Sequence, residues 1–329
     1  MFGGNKTDGR LIHLKIPLDY SSQIPRNKLS KVLQKMREKI KKHKISYLFL
    51  APYAITFITF TVIPVVISIG LSFTHYNMLE PPQWIGWQNY IKLFLGDEVF
   101  LKAVKNTFVF AAITGPVSYI ACLLFAWMIN ELRPKIRALF TLLFYAPSIS
   151  GNVFLVWQIM FSGDSYGYIN GLLMNWGIIH EPIQWLTNPQ YIMSIVILVV
   201  LWMSLGTSFL VFIAGLQNVD KTLYEAGAID GVRNRWQELW YITLPSMRPQ
   251  LMFGAIISIT QSFAASEQAI ALAGFPSVDY AARTVVTHLV DYGNIRFEMG
   301  YAATIATVLF LVMLIVQRTV QRLLRKVGD

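Results

Sequence analysis

Charge is the scarcest commodity in this 329-residue sequence. Asp, Glu, Lys and Arg make up only 14% of it, where a soluble domain carries about 25%. Acid is scarcer than base: 18 acidic residues stand against 28 Lys and Arg, for a net charge of +10. Cysteine occurs once, as Cys122 inside an apolar run, which excludes an intrachain disulfide and suits packing. No Gly-x-x-x-x-Gly-Lys-Ser/Thr phosphate loop occurs, so ATP is not held by that route. The five histidines, His13, His43, His75, His180 and His288, show no metal-ligand spacing. No Ser/His/Asp arrangement stands out either. The chain reads as no enzyme, with neither cofactor nor metal of its own.

What is abundant is apolar surface: 54% of the residues are hydrophobic and the mean hydropathy is +0.47. Runs of about 20 apolar residues are long enough to cross a bilayer. Six such runs occur, at 47–73, 104–130, 136–161, 191–216, 250–273 and 300–320. The expectation is an all-α, polytopic membrane protein with six transmembrane helices over 47–329. Pro52 and Pro64 are expected to kink the first span. The second and third form a hairpin, because only residues 131–135 separate them.

Ahead of the spans, residues 1–26 read as a cytosolic tail. It is too polar to start a signal peptide, and no small-residue cleavage site follows the first apolar run. From 27 to 46 the pattern changes. Leu29, Val32, Leu33, Met36 and Ile40 recur at helical spacing among Lys31, Lys35, Arg37, Lys39, Lys41 and Lys42. Such a basic amphipathic helix suits an anionic leaflet, or equally a solvated helix with one packed stripe.

With the N-terminus inside, only Lys92, Lys102, Lys105, Arg283 and Arg296 of the 28 basic residues fall on the outside. That is the positive-inside pattern, and an even span count returns the C-terminus to the cytosol. The basic excess therefore orients the protein in a cytoplasmic membrane and calls for membrane lipid, not nucleic acid. The outer connections 75–103 and 162–190 are rich in aromatics, among them Trp84, Trp87, Tyr90, Tyr166, Tyr168, Trp176 and Trp185. These suit the membrane interface first; aromatics also stack on sugar rings and line protein contacts, so the loops suit contact with a solute-binding protein as well.

One polar stretch stands out between the fourth and fifth spans, at 217–248. Asp220 can cap a helix running through Leu223, Tyr224 and Ala228. Gly231 breaks it. A second short helix carries Trp236, Leu239 and Trp240 on one face, and Pro245 is expected to stop it. An ordinary amphipathic loop would have these properties too. The pattern Glu225-Ala226-x-x-x-Asp230-Gly231, followed by Ile242-x-Leu244-Pro245, resembles the EAA loop of binding-protein-dependent ABC importer permeases. Gly227 stands where that family has a second Ala, and the gap from Gly231 to Ile242 is one residue longer. The resemblance implies that Glu225, Ala226, Gly227, Asp230, Gly231, Leu244 and Pro245 form the coupling helix that docks into an ATPase subunit.

Polar residues inside spans are costly and usually face a cavity or a partner. The fifth span holds Gln261, Ser262, Ser266, Glu267 and Gln268. Gln261 and Gln268, seven apart, would share a helix face, with Ala264 and Ala265 leaving room between them. A substrate pathway and tight helix packing are the two readings, and the charge of Glu267 favours the pathway. In the third span Pro147 precedes Ser148, Ser150, Gly151 and Asn152. In the fourth, Ser204, Gly206, Thr207 and Ser208 cluster. For both groups pathway and packing stay open, with Ser148 and Asn152 as the pathway candidates. Carbohydrate-type permeases have a phenylalanine–acid pair here and a Thr-Gly-Gly-Pro-like outer turn after it, which Phe263 to Glu267 and Ala273-Gly274-Phe275-Pro276 resemble, without the Thr and one of the Gly. Met299-Gly300-Tyr301-Ala302-Ala303 is similar to the family as well.

The resemblance covers most of 47–329. It implies a permease subunit of a carbohydrate importer in a cell inner membrane, paired as a heterodimer with a second permease. Two ATPase subunits would bind ATP and Mg, and an extracytoplasmic solute-binding protein would deliver the sugar. An oligosaccharide is the default substrate. An acidic one, such as a uronate oligomer, is the second option: Arg283 and Arg296 near the outer face speak for it and Glu267 against. The rival class is a stand-alone secondary transporter or channel, which calls for an internal repeat and ion-coupling charges; neither is clear in the sequence.

Overall fold

The computed structural model describes residues 43–151 and 153–325. The tail at 1–26 and nearly all of the expected interfacial helix at 27–46 lie outside them, as does Asn152. The chain divides into two units, Met1–Pro64 and Val65–Asp329.

Among the described residues the first unit is helical. Helix α1 is the candidate span Lys44–Leu71, and it runs on through Pro52 without a break. The Thr56 hydroxyl donates to the Pro52 carbonyl at 2.7 Å. Ahead of Pro64 the helix widens into a π turn, Ile58–Val62. An i→i+5 turn gives the ring room that an α-turn denies it.

The second unit is helical apart from one two-stranded ribbon, β1 (Thr74–His75) with β2 (Gln83–Trp84), antiparallel with Thr74 opposite Trp84. Helix α2 (Gln88–Ile91) continues as a π turn, Lys92–Gly96. Helix α3 (Glu98–Asn130) is the long second span, capped by the Asp97 carboxylate, which accepts from the Phe100 N–H. Pro134 opens α4 (Pro134–Ile149), at the position where its missing N–H costs nothing. Helices α5 (Val153–Met160), α6 (Tyr168–Asn175), α7 (Ile192–Met203) and α8 (Thr207–Gln217) come next. Beyond the polar stretch lie α12 (Arg248–Ala264), α13 (Glu267–Ala273), α14 (Val285–Val290) and α15 (Met299–Leu324).

Four helical runs among the described residues are long and apolar enough to cross a membrane, Lys44–Leu71, Glu98–Asn130, Ile192–Gln217 and Met299–Leu324. The pair Pro134–Ile149 and Val153–Met160, bent by 83°, makes a fifth if counted as one. The expected fifth span, 250–273, is not one continuous helix. It breaks at Ala265, whose backbone is extended, and α13 restarts at Glu267.

Three apolar clusters hold the second unit together. One packs Cys122, Ala126 and Ile129 of α3 against Phe209, Phe212 and Leu216 of α8 and Met247 and Leu251 at the start of α12. A second joins α7 to α13 through Val196, Val199, Ala269 and Leu272. The third gathers Leu93, Phe100, Val285, Tyr301 and Ile305 at the opposite end from the first.

Over that third cluster lies a buried ionic clasp. His288 is 1% exposed. Its Nδ1 accepts from Arg283 Nε at 3.0 Å, which puts the neutral ring's proton on Nε2, 3.0 Å from Asp97 Oδ2. The Tyr301 hydroxyl donates to the same Asp97 oxygen at 2.8 Å. Asp291 receives both Arg283 and Arg296. Four elements are thereby tied together: the cap of α3, the loop after α13, α14 and the first turn of α15. Burial pushes the His288 imidazole below its ordinary value; Asp97 opposes that and Arg283 adds to it. Burial alone would raise the Asp97 carboxyl, but the hydrogen bonds from Phe100, Tyr301 and His288 outweigh it and hold it low.

A depressed histidine pKa means that the unfolded chain takes up the proton first as the pH falls. The clasp therefore contributes fully above about pH 6.5 and loses its contribution below that. Asp97 and Asp291, also held low, lose theirs only on further acidification through the carboxylate range. Melting temperature measured against pH should fall in two stages, and His288→Gln should abolish the first. A wild-type profile that is flat between neutral pH and the carboxylate range would contradict this account.

Candidate functional site

Two features place polar chemistry where an apolar bundle would not need it. The first is a cavity at the middle of the second unit. Helices break at three places: Ser150 and Gly151 between α4 and α5, Ser204 to Gly206 between α7 and α8, and Ala265 to Ser266 between α12 and α13. Two of these breaks border one cavity of about 300 Å³, through Ser204, Gly206 and Ala265, and Ser148, two residues ahead of the break after α4, lines it as well. Ser118 of α3, Tyr145 of α4, Thr207, Ser258, Gln261, Ser262 and Gln268 complete the polar wall, and among the described residues no charged side chain lines it.

Local chemistry explains the convergence. Ser and Gly near a helix end offer the backbone alternative partners. The Ser148 hydroxyl donates to the Tyr145 carbonyl at 2.8 Å, and Ser204 Oγ to Leu201 O at 2.6 Å. The Ala265 carbonyl, left by α12, accepts from the Thr284 hydroxyl at 3.1 Å. Gly206 allows the ends of α4 and α8 to touch: a Cβ there would sit 3.2 Å from the Ser148 Cβ.

Of the pathway candidates, the structure brings Ser148, Gln261, Ser262 and Gln268 together around this cavity. Gln261 and Gln268 reach it from opposite sides of the break at Ala265 and do not share one helix face, as a continuous span would require. Ser266 and Glu267 are not among the lining residues; Ser266 stands at the start of α13 and Glu267 is exposed in its first turn. Asn152 lies outside the described residues. Ser118, Tyr145 and Ser258 are additions that the sequence did not flag. Ser118 and Ser258 are small polar residues within apolar helices, a signal that was readable, whereas Tyr145 offered none. Arg283 and Arg296 both pair with Asp291, Arg283 buried and Arg296 half exposed.

The second feature is the elbow between α8 and α12. Helix α9 (Lys221–Ile229) is capped by Asp220, which accepts from Thr222 N–H at 3.0 Å. It ends in a left-handed glycine, Gly231, at φ +94. Val232 N–H bonds back to Gly227 O at 2.9 Å and Gly231 N–H to Ala228 O at 3.4 Å, which is the Schellman pairing. The return helix starts at α10 (Arg235–Glu238), capped by Asn234. It continues as a π turn, Leu239–Thr243, and finishes as α11 (Leu244–Ser246). Pro245 does not stop this helix, as the sequence suggested. The widened turn ahead of it absorbs the ring, and the chain turns at Met247 straight into α12.

Two contacts close the elbow. Tyr224 Oη lies 2.9 Å from Thr243 Oγ1. Gly227 is buried beneath Ile242, whose Cδ1 would be 2.5 Å from an added Cβ. Trp236 packs on Trp127 of α3 at 5.0 Å between centroids, and Arg235 pairs with Glu131 at 3.2 Å. The elbow thus sits at the same end of the bundle as the 131–135 turn, away from the ionic clasp.

The seven residues proposed for coupling divide in two. Glu225, Ala226, Asp230 and Gly231 are exposed. Gly227 and Leu244 are buried and Pro245 half-buried, so these three shape the elbow. Beside the exposed set, Ile229 is 87% and Trp240 66% exposed, an apolar surface with charged neighbours that this chain alone leaves uncovered. Of the helical face foreseen for the return helix only Leu239 is buried.

The sequence profile of "binding-protein-dependent transport system inner membrane component" matches residues 118–329. The chain is 33% identical over 285 residues to the probable ABC transporter permease protein YesP of Bacillus subtilis, covering 85% of this chain and 90% of that one. It is 30% identical over 277 residues to the arabinooligosaccharides transport system permease protein AraP of Halalkalibacterium halodurans, covering 84% and 86%. A crystal structure of a bacterial alginate ABC transporter, in complex with an alginate pentasaccharide-bound periplasmic protein, contains a similar chain. The TM-score is 0.71 at 25% identity, over 89% of this chain and 98% of that one.

The two elbow glycines should respond differently to alanine. Gly231→Ala forces a Cβ into a left-handed conformation and should cost about 1–2 kcal/mol. Gly227→Ala meets only the movable tip of Ile242 while gaining helix propensity, and should stay within about 1 kcal/mol of wild type. Thermal unfolding of the purified variants measures both, and equal losses would contradict the elbow geometry.

Proposed function

The chain belongs to the binding-protein-dependent transport system inner membrane component family, as a permease of the carbohydrate ABC importers, and we propose that its elbow couples ATP hydrolysis to oligosaccharide passage through the cavity. In this reading it is one of two permeases of an importer with six transmembrane segments, α12 and α13 making the fifth as a broken helix. Two separate ATPase subunits bind ATP and Mg. An extracytoplasmic solute-binding protein delivers the sugar on the side of the clasp. Both termini and the elbow are cytosolic.

The observation that carries the proposal is the elbow's division of labour, in which buried Gly227 and Leu244 and half-buried Ile242 hold a rigid bend while Glu225, Ala226 and Asp230 face outward. An ATPase that closes on this surface does work on the bundle only if it binds one permease conformation better than the other. Trp236 against Trp127 and Arg235 against Glu131 link the elbow directly to α3. The continuation of α11 into α12 links it to the helix that ends at the cavity.

The cavity supplies the pathway. Non-helical backbone at membrane depth is tolerated where it lines a polar space, and interrupted helices are a recurrent way of building transport sites. Hydroxyls and amides without charge suit sugar hydroxyls, which both donate and accept. At about 300 Å³ the space is at the small end of ligand pockets, so an oligosaccharide would pass with one or two rings inside at a time. The uncharged wall favours a neutral sugar over an acidic one.

Two measurements test this. Glu225→Arg should leave folding and insertion intact while removing substrate-stimulated ATP hydrolysis in the assembled transporter; full stimulation, or purification without any ATPase, would count against coupling. Gln261→Leu combined with Gln268→Leu should reduce uptake about tenfold or more, from the loss of one or two buried hydrogen bonds. Normal uptake in that double variant would move the pathway elsewhere.

A further inference from the structure

The connection between α1 and α3 carries apolar surface that neither the bundle nor the elbow uses. Over Gln88–Gly96 one face turns inward: Asn89 is 8% exposed and Leu93 fully buried. Asn89 Nδ2 donates to the carbonyls of Ser72 at 3.0 Å and Thr74 at 2.9 Å, which pins the segment to the exit of α1. The opposite face presents Trp87, Ile91 and Leu95, four residues apart in sequence, at 65%, 56% and 84% exposure. Phe94 and Trp84 extend the patch. The single basic side chain within the segment, Lys92, is turned aside to Glu298 at 3.1 Å.

The depth of this patch is set by α15. Its first charge toward the far end is Arg318. A hydrocarbon layer of about 30 Å takes ~20 helical residues, so counting back from Arg318 places the other boundary near Glu298. Thr304 Oγ1, more than a turn inside that boundary, donates to Ser72 O at 2.9 Å. Gly300 N–H donates to Tyr76 O at 3.1 Å. Asn89, bonded to the same Ser72 carbonyl, is therefore at the boundary or just within it. An aromatic group marks the level: Phe73, where α1 ends, lies 5.6 Å from Trp84, 5.0 Å from Trp87 and 5.3 Å from Tyr90.

We propose that Gln88–Gly96, with Trp84, is an in-plane helix seated in the outer membrane–water interface, its Trp87–Ile91–Leu95 face in contact with lipid. Amphipathic helices that lie in this plane bury an apolar face at the headgroup–acyl boundary, and Trp collects there. A soluble binding protein that docks and leaves would expose this patch to water in every cycle, whereas lipid covers it permanently. The segment then anchors the outer end of α1 and, through Asn89 and Lys92, holds the clasp end of α15 at fixed depth.

The test uses the one native cysteine to advantage. In a Cys122→Ala background, a nitroxide is placed at Leu95→Cys and, separately, at Ile91→Cys. Tyr166→Cys, where the native side chain is 94% exposed, serves as the outer-loop reference. The full transporter is reconstituted in proteoliposomes, with ATPase co-purification as the check on folding. Both patch labels should collide several-fold less with a water-soluble nickel chelate than the Tyr166 label, and more with oxygen. Equal nickel accessibility at all three sites would overturn the proposal. Accessibility at the patch that is lost only when the binding protein is added would overturn it too, and would assign the patch to protein docking.

Discussion

In a membrane every backbone N–H and C=O must find a partner inside the protein, and this one requirement orders the structure. A helix that breaks in lipid strands several such groups at a cost of a few kcal/mol each. The second unit breaks three helices and sets two of the breaks, with Ser148 from near the third, around one cavity, where Ser148, Ser204 and Thr284 satisfy groups near them. Scattered breaks would each need separate compensation. Gathered ones share one polar space, and that space is what transport chemistry can use.

The two ends of the bundle are held by different physics. At the clasp end, buried polar and charged groups satisfy one another in a continuous chain, Tyr301 to Asp97 to neutral His288 to Arg283 to Asp291. Buried ionic networks of this kind are poor sources of net stability but strict about geometry. At the elbow end a buried apolar cluster does the holding, Leu239, Leu244 and Met247 against Ile129 and Leu216, and the exposed pairs, Trp236 on Trp127 and Arg235 with Glu131, add individually little.

How much was legible in the sequence depended on distance along it. The elbow was read almost completely, because Asp220, Gly231 and the spacing between them act within a few residues. Pro245 was misread because its usual effect assumes an α-helical turn before it, and the turn here is wider. The broken fifth helix was missed for a similar reason: hydropathy runs straight through Ala264, Ala265 and Ser266, while backbone conformation does not. Gln261 and Gln268 were still rightly grouped, although the geometry that unites them is a break and not a helix face. Glu267 drew notice by its charge, yet the cavity wall is neutral. The clasp was invisible. Asp97 meets His288 across 191 positions and Tyr301 across 204, and no periodicity links residues so far apart.

The π turn at Leu239–Thr243 has a bearing on how such assemblies diversify. A turn that holds one residue more than its α-helical counterpart lets the chain change length without rotating the downstream helix by the roughly 100° an inserted residue would impose on a regular helix. The side chains that α12 carries to the cavity, Gln261 and Ser262 among them, can thus keep their facing while the elbow ahead of them lengthens or shortens.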